Sequence, residues 1–490
     1  MLVEGGKVVN RVTSSQAIMP ERHTVDLKGR TICPSFIDNH CHILPTGLDL
    51  QKLNLSTCQS NSDVLDALRS RISSVEPGKW LHAVHYDQTK FGGEYLTRSE
   101  LDTLSTSTPI LLRHVNGHAS VANSSALMAS EISEDQPDPE GGSFRRDASG
   151  RIDGVLFERA HEEVTRREPM PNLEEMVSAI LLAAEKMAEF GICSAHDMMT
   201  GRFDLEMELE AYRIAADRGC PVWTRLYLQW GEIFRKDGQF KNPKFSRYLD
   251  EGDHRCRIAG IKVFADGAIG SATAAIYGSY TGAPATGYRI SASSRTAASA
   301  VADKEVSGQL IYAPDRLNQM VRIADAAGFQ VSIHSIGDYA TDLVLDAFSQ
   351  VDDPARHRIE HAMILSDAQI DRLAKVGCFC CMQPEFLVRF GNSYRAQLGP
   401  EKASNLNRYR SVIDSGVPVS FSSDRPIVSG DPRVGIATAV NRPEGFDPAE
   451  NITFEEAIDA YTTSAAAVSS DSDLLGGLEP GQAAQWQFLD

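Results

Sequence analysis

His40 and His42 are separated by one residue and come just after the apolar run Thr31-Ile32-Cys33-Pro34-Ser35-Phe36-Ile37-Asp38. In an extended strand alternate side chains share a face, so both imidazoles point the same way. Two neutral imidazoles on one face can hold a divalent metal ion. Three further groups stand at the ends of later strand-like runs: His334 after Val331-Ser332-Ile333, His361 after Arg358-Ile359-Glu360, and Asp424 after Val417–Ser423. A carboxylate beside a metal ion can bind it and also take a proton from water, which is the work read for Asp424. Lys262 lies inside the run Ile261–Phe264, where a buried ammonium is costly. An ion pair with Asp266 or Glu158 would relieve it. So would addition of carbon dioxide, which makes a carbamate able to bridge two cations. The spacing leaves both open. Plainer readings exist: core histidines on backbone carbonyls for His334 and His361, and a helix N-cap for Asp424. The joint placement at strand ends favours a buried metal site gathered from distant parts of the chain.

Such a gathering needs a frame that brings many strand ends to one place. From residue 172 onward short apolar runs alternate with helical patterns. Strand-like runs cover Ile192–His196, Pro221–Trp230, Ile258–Phe264, Phe329–His334, His357–His361, Cys378–Gln383 and Val417–Asp424. Helical patterns cover Leu173–Phe190, Asp204–Gly219, Asp315–Gly328, Tyr339–Gln350, Asp367–Gly377, Asn405–Gly416 and Ile452–Ala465. This rhythm reads as βα units around a parallel sheet. Polar residues at the C-terminal ends of several strands point to a (β/α)8 barrel. A doubly wound sheet puts its ligand at a single switch point instead. The expected organisation is an α/β TIM barrel over residues 31–469, with a small β-sandwich domain formed from both termini, residues 1–30 plus 470–490. Residues 43–160 read as a large insertion covering the mouth of the barrel, with helical pieces such as Ser62–Ser73. Residues 267–310 read as a loop rich in Gly, Ala, Ser and Thr.

Composition narrows the function classes. The chain has 490 residues, 42% hydrophobic and 23% charged, as in ordinary globular proteins. A formal charge of −18 argues against a nucleic-acid binder, which needs a basic face for phosphates. Neither a signal peptide nor an apolar stretch of transmembrane length is read, so no membrane partner and a cytoplasmic location are expected. The nine cysteines follow no disulfide-framework spacing and read as reduced, buried thiols. Cys378 and Cys380 form an alternative soft pair on one strand face.

Taken in order, several motifs resemble the amidohydrolase superfamily. More narrowly they resemble the amidohydrolase-3 branch, which includes N-substituted formamide deformylases and YtcJ-like proteins. They are Pro34-Ser-Phe-Ile-Asp-Asn-His-Cys-His42, Asn116-Gly-His-Ala-Ser-Val-Ala-Asn123, Gly154-Val-Leu-Phe-Glu158, Ile261-Lys-Val-Phe-Ala-Asp-Gly267, Ile333-His-Ser-Ile-Gly-Asp338, Arg358-Ile-Glu-His361, Met382-Gln-Pro384 and Ser423-Asp424. The chain departs from the family pattern at Ser35, Cys41, Ser422 and Gln485, none of them a ligand position. The resemblance implies a metal-dependent TIM barrel in which His40, His42, His334, His361 and Asp424 are ligands. Lys262 then matches a bridging lysine that is often carboxylated. One or two divalent ions, zinc in this reading, would be bound. The implied reaction is hydrolysis of a non-peptide C–N bond, in an N-substituted formamide or related small-molecule amide. A metal-activated hydroxide attacks, with Asp424 as general base. His118 is a candidate for contact with the substrate or oxyanion. Glu158, Asp266, Asp338 and Gln383 are candidates for orienting ligands or lining the pocket, with Arg113 and Trp230 as weaker ones. Alternatives are a deaminase, a carbamate, ester or lactone hydrolase of the same superfamily, or a non-catalytic binding barrel. A homodimer is the base-rate expectation for assembly.

Overall fold

The computed structural model describes residues 1–11, 24–115, 119–139, 142–235, 238–239, 255–281 and 305–489. Eight parallel strands make the main sheet: β1 (Phe36–Cys41), β2 (Ile192–Thr200), β3 (Trp223–Gln229), β4 (Cys256–Phe264), β5 (Gln330–Ser335), β6 (Arg358–His361), β7 (Phe379–Met382) and β8 (Val419–Phe421). Each pairs in parallel with the next in sequence. The ring nearly closes just beyond β8, where Cys41 bridges Arg425 in parallel. There the Asp424 amide donates to the His40 carbonyl at 2.6 Å and the His42 amide to the Arg425 carbonyl at 2.8 Å. This is the expected (β/α)8 architecture.

Local sequence explains the regular units. The helix Asp367–Val376 starts at Ser366, whose hydroxyl and Gln369 cap each other reciprocally. It buries Ile370 and Leu373 and stops at Gly377, whose φ of 73° is the left-handed geometry a helix C-terminus favours. Two expected helices are shorter than their patterns. Over 405–416 only Tyr409–Asp414 is helical. Asn407 is left-handed at φ 54°, and its side-chain Nδ2 donates to the Gln383 carbonyl and the Tyr409 hydroxyl, so the chain turns before the helix begins. The closing helix is two pieces, Phe454–Ala460 and Thr463–Val468. The break frees the Tyr461 carbonyl to accept the Ile37 amide of β1 at 2.7 Å.

The termini build a separate small β element. Leu2–Glu4 and Lys7–Asn10 form a hairpin, and Ile32–Pro34 pairs antiparallel with Trp486–Phe488. A bridge between Lys7 and Ala483 joins the two ends of the chain. Pro45–Leu182 forms a compact unit of its own, distinct from the unit made of Met1–Leu44 and Ala183–Asp490. Within it Leu53–Asn54, Leu81–Tyr86, Ile110–His114, Ala119–Ala122, Ile152–Glu158 and Gly142–Arg146 make a mixed six-stranded sheet, in that order. Val64, Leu68, Leu81, Ile110, Leu112 and Val121 are buried in one of its apolar clusters. Among the described residues no helix is long and apolar enough to cross a membrane.

At the start of β6, His357 is fully buried and accepts the Val331 amide at Nδ1, 3.1 Å away. Burial, with the Arg356 guanidinium beside it, pushes the imidazole down to about 4. The unfolded chain takes up this proton near pH 6.5, whereas the folded chain resists it until near pH 4, so stability falls on acidification across that window. His357→Phe is expected to shrink the loss between pH 7 and 5, measured by urea unfolding. An unchanged pH slope would refute this assignment.

Candidate metal centre

The C-terminal ends of β1, β6 and the turn after β8 converge. His40, His361 and Asp424 are all buried, and one ligand atom from each lies within 4.8 Å of the others. His42 sits against them, with Nε2 2.8 Å from Asp424 Oδ1. Lys262 Nζ is 3.4 Å from His40 Nε2. The His334 ring centroid is 4.5 Å from that of His361. The structure thus brings His40, His361 and Asp424 into one cluster and places His42, Lys262 and His334 at its edges. His118 and the side chain of Glu158 lie outside the described residues.

Backbone geometry helps aim the groups. His361, Ala362 and Asp424 have φ of 72°, 44° and 58°. Left-handed backbone at non-glycine residues costs about 1–3 kcal/mol each and persists where surrounding structure enforces it. Here β6 and β8 end in sharp turns at the points where His361 and Asp424 leave the sheet.

Hydrogen bonds assign the ring protons. Glu360 is an acceptor, so His40 donates Nδ1–H to its Oε2 at 2.7 Å and keeps a lone pair on Nε2. Gln383 donates its amide to Ser422 Oγ at 2.9 Å, which leaves Oε1 to accept His361 Nδ1–H at 2.6 Å. His334 donates Nε2–H to the Gly267 carbonyl at 2.9 Å and keeps its lone pair on Nδ1. Burial holds all three imidazoles below their ordinary range, with Lys262 adding to the effect at His40 and His361 at His334. Neutral rings with fixed tautomers are what metal coordination requires. Burial by itself would raise Asp424, but the surrounding imidazoles of His40, His42 and His361 hold its carboxyl below the carboxylate range. A buried set of imidazole nitrogens and one carboxylate suits a divalent ion of borderline softness. Burial pushes the Lys262 amine down to about 8, against the opposing pull of Glu360 and Asp424.

The other candidates divide. Gln383 touches a cluster residue directly. Asp266 does not pair with Lys262: its carboxylate accepts the amides of Ala275, Ile336 and Gly337 at 2.9, 3.0 and 2.8 Å. It therefore ties the β4 and β5 loops together beside His334. Asp338 starts the helix Asp338–Phe348 and accepts the Tyr277 amide at 2.9 Å. Arg113 pairs with Asp49 inside the 45–182 unit. Trp230 lines a cavity of about 540 Å³ with Phe234, Tyr312, Arg316 and Met320. Cys41 turns from the cluster toward the His196 carbonyl, 3.4 Å away. Cys33, Cys41, Cys58, Cys193, Cys220, Cys378, Cys380 and Cys381 are buried and form no disulfide.

Two residues outside the sequence-predicted set touch the ligands or their neighbours. Glu360 holds His40. Asp38 accepts the Ser423 amide at 3.0 Å and so fixes the residue before Asp424. Period two was the available clue, because Asp38 shares the face of His40 in β1 and Glu360 shares that of Arg358 in β6.

The Amidohydrolase family model matches residues 23–485. The chain belongs to that family. Together with the buried His40–His361–Asp424 cluster, membership makes it a metal-dependent hydrolase. It is 27% identical to the N-substituted formamide deformylase of Arthrobacter pascens, over 100% of this chain and 89% of the relative. It is 28% identical to protein LONG AFTER FAR-RED 3 of Arabidopsis thaliana, over 95% of this chain and 79% of that one. The crystal structure of an uncharacterized metal-dependent hydrolase from Pyrococcus horikoshii OT3 aligns with a TM-score of 0.76 and 27% identity, covering 95% of this chain and 87% of that one.

Proposed function

We propose that this hydrolase cleaves a non-peptide C–N bond, in an N-substituted formamide or a closely related amide. The observation that carries the reading is the buried cluster of His40, His361 and Asp424 at the C-terminal end of the barrel. The formamide class rests on the full-length similarity to the Arthrobacter enzyme. His40, His42, His334, His361 and Asp424 would hold the metal, zinc by the chemistry of the donor set. When bound, the ion polarises the substrate carbonyl and makes water acidic enough to attack near neutral pH. Asp424 takes the proton of the attacking water on a carboxylate oxygen and delivers it to the leaving nitrogen. The His42 Nε2 contact, 2.8 Å away, holds that carboxylate in place. Glu360 and Gln383 keep the His40 and His361 rings in register throughout the cycle. Lys262, with its amine brought near neutrality, is suited to carbamate formation and so to a second ion. Eight buried cysteines without a disulfide, Cys33, Cys41, Cys58, Cys193, Cys220, Cys378, Cys380 and Cys381, support a reducing compartment, the cytoplasm.

The test is a hydrolysis screen of metal-replete protein against N-substituted formamides, longer-chain amides, cyclic imides, carbamates, lactones and aminated heterocycles. Formate release from the first class, faster than any turnover of the others, is expected. Deamination or ester cleavage without formamide turnover would refute the assignment. Lys262→Met is expected to bind at most one ion per chain, counted by elemental analysis. Two ions retained in that variant would rule out a bridging lysine.

A further inference from the structure

β6 is only four residues long, yet two of them, Arg358 and Glu360, are charged and wholly buried in the barrel interior. That interior is ordinarily filled with branched apolar side chains. Ile359, between them, belongs to the opposite face. A buried ion pair is tolerable only when its remaining donors and acceptors are satisfied, and here they are. Glu360 Oε1 accepts Arg358 Nε and the Ser332 hydroxyl, the latter at 2.7 Å. Glu360 Oε2 accepts Arg358 Nη2 at 3.0 Å and His40 Nδ1 at 2.7 Å. Arg358 Nη2 also donates to the Asn39 carbonyl at 2.7 Å. Its Nη1 donates to His196 Nδ1 at 3.0 Å and to the Tyr227 oxygen at 3.2 Å. All five guanidinium N–H groups are used. The network draws on β1, β2, β3, β5 and β6, and Glu360 carries it to the metal cluster by its hydrogen bond to the His40 ring.

We infer that Arg358 and Glu360 are a positioning pair, set beneath the cluster, that fixes the tautomer and orientation of His40 and thereby the affinity of the site for its ion. This rests on the metal-binding reading above. Glu360 alone would not suffice, because a carboxylate lacking its guanidinium partner could satisfy itself by turning from His40. Lysine could not replace Arg358, since one ammonium cannot reach Glu360, Asn39, His196 and Tyr227 together. Nor could glutamine replace Glu360: its amide would set an N–H group against the donors of Arg358 or of His40.

The experiment measures zinc affinity by chelator competition and the visible spectrum of the cobalt-substituted protein. It uses wild type, Glu360→Gln, Arg358→Lys and the double variant, with circular dichroism of the metal-free forms as the folding control. Each single variant is expected to weaken zinc binding about 10–100-fold and to alter the cobalt spectrum. The double variant should lose no more than the worse single, because the two side chains act as one unit. Zinc affinity of Glu360→Gln within twofold of wild type, with an unchanged cobalt spectrum, would overturn the inference. If a charged variant fails to fold, Arg358→Met combined with Glu360→Leu removes both charges and gives the same two readings. Wild type that binds no zinc or cobalt would instead refute the metal-binding reading itself.

Discussion

Asp424→Asn is expected to lower kcat about 10²–10⁴-fold, the range for losing a positioned general base. The replacement keeps the shape of the side chain and an oxygen for the His42 contact, now 2.8 Å long. It removes the negative charge that the imidazoles of His40, His42 and His361 hold in place. An amide oxygen neither keeps the proton of water nor passes it to a leaving nitrogen. KM should change far less than kcat, since the loss falls on proton transfer rather than on contacts made by the bound substrate. Elemental analysis must accompany the kinetics, because the same carboxylate is a proposed ligand. A variant that retains its metal and turns over within tenfold of wild type would remove Asp424 from the chemistry.

Stripping the ion is expected to abolish turnover, and returning zinc should restore it. The physical basis lies in the cluster, where lone pairs of His40, His361 and Asp424 face one another in a buried space. An ion bound there ties β1 and β6 to the turn after β8 and stabilises the folded chain by mass action. At a free concentration 100 times Kd the gain is about 2.7 kcal/mol. The unfolding midpoint should therefore rise with added zinc, and His361→Ala should flatten that rise. Full turnover after exhaustive chelation, or a midpoint indifferent to zinc, would contradict the proposal.

Much of this centre was legible because its chemistry is written at regular structural positions. His40 and His42 are two apart in a strand, and His334, His361 and Asp424 each end a strand-like run in a repeating βα rhythm. Such groups reveal both barrel and cluster from a linear text. Glu360 and Arg358 were less visible. A charged residue inside a four-residue strand gives no sign of whether it faces helices or the barrel interior until its neighbours are known. The six-stranded sheet of the 45–182 unit is hidden in the sequence for another reason. Its strands are short, run both parallel and antiparallel, and include Leu53–Asn54 with two residues. No single period persists long enough to be read. The shortened helices before and after β8 turn on individual contacts of Asn407 and Tyr461, which periodicity does not encode.

The seam where the ring closes also bears on biosynthesis. Asp38 contacts Ser423 across 385 positions of sequence, and His42 meets Asp424 across 382. A chain emerging from the ribosome presents His40 and His42 long before Asp424, which follows His42 by 382 positions. Loop closure over such a span adds little entropy per extra residue, so the delay is one of arrival rather than of thermodynamic difficulty. The cluster cannot be complete in a chain that stops short of Asp424. Capture of an ion by the full set of ligands would thus mark a chain made at least as far as Asp424, and products truncated before it would lack a competent centre.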